Sequence, residues 1–235
     1  MPSLPNNNKL TYAVAAWGGI TATACLIRYV KRRAILAREE RVASEGGLMP
    51  HSQNAVAALS WRAKHTPEKL ALEAADGAAQ YTYQQYYEQV QQFGKALMAI
   101  QEKIKSKEQQ LGVAVHAFNE PRWFFASLGA QAAEWTVSGI YLTNTYDQAS
   151  HVLTTSHVKV LVLESEDLLE TTYSKVLKDF PDLTVVLLQG GDDTGKFPGK
   201  DRVLSYAKFL DRAKGKGLKD PKDLSPDKVT SLVCI

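Results

Sequence analysis

The chain has 235 residues, 45% of them apolar and 23% charged, which is enough for one core of ordinary size plus an appendage and excludes a disordered or collagen-like chain. A net charge of +3 is too slight to imply a nucleic-acid partner, and the positive residues gather at two places, Arg28 to Arg41 and Lys214 to Lys222. Only Cys25 and Cys234 occur, far apart in unlike surroundings, so neither a disulfide framework nor a zinc site is suggested, and the domain suits a reducing compartment.

From Leu10 to Ile27 the residues are apolar, small or hydroxyl-bearing, without a charge. As a helix rising about 1.5 Å per residue, this run spans roughly 27 Å, which matches a thin bilayer such as the endoplasmic reticulum. Tyr12 stands at the expected interface, and Arg28, Lys31, Arg32 and Arg33 follow the run at once, against Lys9 and the amino terminus before it. The positive-inside bias predicts a lumenal N-terminus and a domain in the cytosol. Residues 1–33 are thus expected to form a transmembrane anchor with its basic flank, with membrane lipid as partner. A cleaved signal peptide would place its charges before the apolar run instead. A buried core helix is the other alternative, since Gly18, Gly19 and three threonines make the span only modestly hydrophobic. Residues 34–48 read as a charged juxtamembrane linker closing at Gly46-Gly47.

Residues 49–235 carry the soluble part. Val56, Ala57, Leu59, Ser60 and Ala63 lie at helical spacing over Asn54 to His65, and Pro67 marks the stop. Leu70 to Ala75 and Ala78 to Tyr83 flank Asp76-Gly77, a hairpin signal in which both turn residues would take positive φ. Thr82 with Gln85 forms a capping box for a long helix whose apolar face runs through Tyr86, Val90, Phe93, Leu97 and Ile100 or Ile104. Strands are then expected at Leu111 to Ala117, Val137 to Leu142, Val158 to Leu163 and Leu183 to Leu188. Helices are expected at Pro121 to Trp135, Tyr146 to His157 behind a Thr145–Gln148 capping box, and Glu166 to Asp179. Strands separated by helices of this length imply crossovers and a largely parallel sheet, an α/β fold. The lysines from Lys214 to Lys222, mixed with Gly, Asp and Pro, read as a solvated loop, and Val229 to Ile235 is a β-prone run.

Few residues suggest chemistry. Gly190 to Lys196 fits G-x-x-x-x-G-K, but Phe197 supplies no hydroxyl for magnesium, Pro198 and Gly199 disfavour the helix that should face phosphates, and Asp192 and Asp193 would repel them, so a surface turn is expected. His151 and His157 lie six residues apart on different faces of a helix, and no nucleophile elbow is present. Glu164, Glu166 and Asp167 stand where negative charge suits a helix start. Trp123 cannot share a helix side with both Phe124 and Phe125, so at least one of the three is ordinary core, though the group could also wall an acyl pocket. Tyr141, Asn144 and Thr145 follow a strand, where ligands of open α/β sheets bind, and are the best substrate contacts in the chain. No catalytic, cofactor-binding or metal-ligating residue is assigned.

The block Phe118-Asn119-Glu120-Pro121-Arg122-Trp123-Phe124-Phe125, running on to Gly139-Ile140-Tyr141-Leu142-Thr143-Asn144-Thr145, resembles the N-terminal part of AMP-forming acyl-CoA synthetases. The resemblance extends from about Trp61 to Ile235 and is nearest to the long-chain, bubblegum-type branch. It implies the first part of the large domain of an adenylate-forming synthetase, from a parent enzyme that joins a long-chain fatty acid to CoA using ATP and Mg2+. In that family the phosphate-binding loop follows the strand here formed by Val229 to Ile235, and later acidic motifs and a lysine complete the machinery. The stretch in hand is therefore expected to be inactive by itself and to hold no cofactor. The alternative is a non-catalytic, membrane-tethered interaction or regulatory module. One departure from the family pattern is Glu134-Trp135-Thr136, where relatives usually carry small residues and glycine.

Overall fold

A computed structural model describes residues 54–104, 110–190 and 200–225, together with Arg33, Phe197 and the backbone of Ser231–Leu232. The expected anchor over Leu10 to Ile27, the linker at 34–48 and the loop residues 191–196 lie outside the described residues. Among the described residues, no helix is long and apolar enough to cross a membrane. All elements below belong to the unit Gln53–Ile235.

Helix α1 (Ala55–His65) begins where Asn54, in extended conformation, accepts the Ala57 N–H at 2.7 Å; its amide nitrogen donates to the Pro221 carbonyl at 3.0 Å, tying the start of the domain to the 3-10 turn Pro221–Asp223. Strands β1 (Leu70–Glu73) and β2 (Gln80–Thr82) pair antiparallel. The turn between them is not the expected two-residue one. Gly77 alone takes positive φ (70°), its N–H donates to the Ala74 carbonyl, and the Asp76 carboxylate accepts the Ala78 N–H. Asp76 thus closes the turn with its side chain and keeps an ordinary backbone, so the loop is longer than a two-residue turn. Thr82 and Gln85 form the expected reciprocal cap, and α2 (Tyr83–Gln101) buries Val90, Phe93, Leu97 and Ile100.

Beyond Gln110 the chain alternates β3 (Gly112–His116), α3 (Pro121–Ala132), β4 (Thr136–Gly139), α4 (Tyr146–Thr155), β5 (Val158–Leu163), α5 (Glu166–Thr171), α6 (Val176–Asp179), β6 (Thr184–Leu187), β7 (Val203–Ser205), α7 (Tyr206–Asp211) and β8 (Ser231–Leu232). The six strands β3 to β8 form one parallel sheet in the order β7-β6-β5-β3-β4-β8. Because side chains alternate across a strand, successive residues feed two cores. Val113, Val115, Val160, Val162 and Val186 pack against α2, α3 and α7 through Phe93, Leu97, Ala126, Ala130 and Phe209. Ala114, Leu161, Leu163, Val185 and Leu187 pack against α4, α5 and α6 through Val152, Leu153, Leu169 and Val176.

Two further expectations are corrected. The helix expected over Glu166 to Asp179 is two helices, because Tyr173 between them is fully buried with its hydroxyl against the sheet, and this anchor outweighs helical continuity. Thr171 also turns its hydroxyl back to the Asp167 carbonyl at 2.7 Å, a bond that weakens a helix end. The strand expected over Val137 to Leu142 stops at Gly139; Tyr141 and Leu142 are 65% and 49% exposed, and no ladder holds them.

Glu134 adopts φ 58°, the left-handed region, as the residue that ends α3. Its N–H donates to the Gln131 carbonyl and the Trp135 N–H to the Ala130 carbonyl, the paired bonds of a Schellman cap. A glycine would take this backbone without strain, whereas an L-residue meets a cost of about 1–2 kcal/mol. An ion pair from Glu134 to Lys219 and the burial of Trp135 hold the conformation in its place.

Candidate functional site

Strands β3 and β4 are neighbours in the sheet, yet the chain leaves them towards opposite faces, into α3 on one side and α4 on the other. A crevice must open where two such connections part, at the C-terminal ends of the strands. A cavity of about 570 Å3 occupies that place, lined among others by Ala117, Asn119, Trp123, Gly139, Tyr141 and Thr143. Asn119, Ser127 and Thr143 are polar, among the described residues no cationic side chain lines it, and the rest of the described wall is predominantly apolar.

Local sequence sets this wall. Pro121 at the first turn of α3 needs no N–H there and has its φ already set for the helix, so Trp123 leaves the first turn towards β4; its ring stands 3.8 Å from where a Cβ on Gly139 would lie. Phe125, on another side of the helix, is fully buried against Tyr81 and Tyr86, with ring centroids at 4.9 and 5.5 Å. Trp123 therefore lines the cavity and Phe125 is core. After β4 the Ile140 N–H donates to the Val115 carbonyl, and the Asn144 N–H to the Tyr141 carbonyl, which turns the chain back towards α4. Thr145 caps that helix, its hydroxyl accepting from the Gln148 N–H and its own N–H donating to the Gln148 side chain. Of the three residues singled out in the sequence, Tyr141 lines the cavity, while Asn144 and Thr145 belong to the turn and cap beside it.

Two polar groups near this edge join residues distant in sequence, and nothing in the local sequence marks them. Arg122 donates to Glu120 at 2.9 Å and to the Leu188 carbonyl at the end of β6, and its guanidinium lies 5.8 Å from the centre of the Tyr206 ring. Burial pushes the Tyr206 hydroxyl well above the ordinary tyrosine range, against the opposing influence of Arg122. His116, at the last position of β3, is buried on the α4–α5 side, and its Nδ1 shares a hydrogen bond of 2.7 Å with the Tyr173 hydroxyl. Glu164, after β5, accepts the Phe118 N–H at 2.9 Å and so fixes the start of the loop that carries Asn119. His151 and His157 are exposed on and after α4, and Glu166 and Asp167 occupy the first turn of α5. Among the described residues, no group of three or more His, Cys, Asp or Glu side chains could hold a metal ion.

Burial lowers the pKa of His116, while the Leu142 carbonyl and the Glu164 carboxylate act in the other direction. An unfolded histidine titrates near 6.5. As pH falls below that value the unfolded chain takes up a proton that the folded chain still refuses, so folding stability is complete above about 6.5 and declines on acidification towards the folded pKa. Urea unfolding across this range should show that decline, and His116→Gln, which can still accept the Tyr173 hydroxyl, should flatten it. Equal slopes for the two proteins would show that His116 does not carry the effect.

Residues 59–232 match the family described as AMP-binding enzyme. Among curated proteins, the chain is 35% identical over 89 residues to the long-chain-fatty-acid–CoA ligase heimdall of Drosophila melanogaster, covering 38% of this chain and 12% of that protein. It is 28% identical over 119 residues to the long-chain-fatty-acid–CoA ligase ACSBG1 of Rattus norvegicus, covering 51% and 16%. These matches thus span less than a fifth of the length of either relative. Among solved structures, the anthranilate CoA ligase AuaEII in complex with anthranoyl-AMP superposes with a TM-score of 0.58 at 18% identity, covering 76% of this chain and 31% of that one. MatB from Rhodopseudomonas palustris does so with 0.54 at 16% identity, covering 78% and 32%. At such identities the superpositions establish the α/β fold.

Proposed function

The chain belongs to the AMP-binding enzyme family, and from that premise we propose that it is the N-terminal part of a long-chain fatty acid–CoA ligase, whose reaction converts ATP, a fatty acid and CoA to acyl-CoA, AMP and diphosphate. The observation that carries this reading is the cavity beside Trp123 and Tyr141: its mainly apolar wall, without a cation among the described residues, suits an alkyl chain better than a triphosphate. The part assigned to this chain is to hold the acyl group, and no step of nucleotide or magnesium chemistry is assigned to its residues. By itself the chain is proposed to be inactive. The run Leu10 to Ile27 is proposed to anchor it in the endoplasmic reticulum membrane with the domain facing the cytosol, on the strength of the uncharged span and the basic cluster behind it.

Calorimetric titration of the full chain with palmitate, below its micellar range, tests the reading, alongside an assay for acyl-CoA and alkaline carbonate extraction of the expressed protein. The expected result is palmitate binding that Trp123→Ala weakens about tenfold, as fits the loss of roughly 1.4 kcal/mol of aromatic contact. No acyl-CoA should form, and the chain should stay in the membrane pellet. Palmitate binding that ignores Trp123→Ala would remove the cavity from the reading, turnover would refute inactivity, and release into the supernatant with an intact N-terminus would refute the anchor.

A further inference from the structure

Gly139 closes β4, and the backbone there gives no reason for a glycine. Its φ lies outside the left-handed region, since among the described glycines only Gly77, Gly190 and Gly215 take positive values. The ladder passes through it without a bulge: Gly139 stands opposite Val115, and the next N–H, that of Ile140, donates to the Val115 carbonyl at 2.9 Å. An extended position of this kind suits a β-branched or aromatic residue, and a glycine weakens the strand through chain entropy and the lack of a side chain to pack. Such glycines often mark places where a backbone or a ligand comes close. No backbone does so among the described residues, where a Cβ built here would meet only Cζ2 of Trp123 within 4 Å, at 3.8 Å, an ordinary contact. Gly139 is also exposed, while the three residues before it in β4 are buried, so the space above it is open.

Trp123 and Ser127 stand one turn apart on one side of α3, and Val137 and Gly139 stand two residues apart on one side of β4; all four line the acyl cavity. Helix α3 is the crossover from β3 to the parallel β4 and so runs back against both strands. Trp123 and Gly139 are therefore at the outer end of the furrow between helix and strand, with Ser127 and Val137 deeper in it. We propose that Gly139 is a specificity-determining residue of this cavity: its bare Cα leaves room beside the Trp123 ring for a long, unbranched alkyl chain to pass down to Ser127 and Val137. A side chain larger than methyl would lie along the ring and fill that passage, while the outer part beside Tyr141, Leu142 and Thr143 stays open to a short chain. This role rests on the acyl reading of the cavity and adds the residue that selects chain length.

Calorimetric titration of palmitate and of octanoate, each below its micellar range, into the full chain and its Gly139→Val and Gly139→Leu variants tests it. Each methylene kept from the wall should weaken binding about fourfold. Gly139→Leu should accordingly weaken palmitate by at least about tenfold and octanoate by less than about threefold, with Gly139→Val in between. The new Cβ meets Trp123 at an ordinary contact, so the fold should hold, and Gly139→Val carries the test should Gly139→Leu unfold. Undiminished palmitate binding in the folded variants, or equal weakening of both acids, overturns the proposal. Unfolding of both variants would mean that the chain itself fills the space at Gly139, and the proposal falls likewise. A parent chain that binds neither acid would instead remove the acyl reading itself, and this role with it.

Discussion

Gly112→Ala is expected to cost the fold about 3 kcal/mol or more, at the upper end of what overpacking does. Gly112 opens β3, and a Cβ built there would stand 2.2 Å from the Ser156 carbonyl oxygen and 3.3 Å from the Val158 Cα. Both are backbone atoms, so no side-chain rotation makes room. The junction they belong to is already committed: Ser156 ends α4, its hydroxyl bonds that of Ser138 at 2.9 Å, and His157 stands at φ 49° while its carbonyl accepts the Gly112 N–H. Relief therefore means displacing the start of β5 from β3, where the register is already irregular. Guanidinium unfolding at unchanged slope reads the loss. Gly217→Ala, with nothing within 4 Å of its Cβ position, is the control and should stay within about 0.5 kcal/mol of the parent. A loss under about 1 kcal/mol at Gly112 would mean that the α4–β5 junction yields easily.

Trp135→Ala is expected to cost about 3–5 kcal/mol, the range for deleting a large aromatic from a core. The side chain is 1% exposed in the cluster of Phe93, Leu97 and Val137, and its indole N–H donates to Gln101 at 3.1 Å. About 1 kcal/mol belongs to that bond, since the exposed Gln101 finds water when it is lost; the remainder is packing. Trp135→Phe should accordingly retain more than half of the stability that Trp135→Ala loses. If the two variants were equally destabilised, the hydrogen bond would matter more than the ring.

Most of the sheet was legible because a parallel α/β chain announces each strand as a short apolar run and each helix by a cap. The reciprocal Thr82–Gln85 and Thr145–Gln148 caps formed as the residues imply. What local sequence hid was set by contacts from far away. Nothing within a few residues of Tyr173 says that its hydroxyl will meet His116, and so nothing there breaks the expected helix in two. Glu134 concealed a left-handed cap because its own residue type argues against one, and only the tie to Lys219 and the burial of Trp135 show why it holds. At the candidate site, the run after β4 could be read as a ligand position from its place beyond a strand. That Trp123 and not Phe125 faces the cavity depended on which side of α3 meets Tyr81 and Tyr86, a choice made by the packing of the β1–β2 hairpin and α2.

The place of β8 carries a kinetic consequence. Ser231 and Leu232 pair with Val137 and Ser138, so the chain must run out through β5, β6 and β7 on the far side of β3 and return before the strand can dock. Loop closure becomes dearer in entropy with every added residue, at about 0.6 kcal/mol per doubling, and here the longest loop in the sheet is rewarded, among the described residues, by two residue pairs. Neighbouring strands such as β5 and β6 close short loops for four pairs. The sheet thus has an intrinsic order of assembly, in which the β5–β6 side can zip together early and β8 is the strand whose arrival waits on all the others.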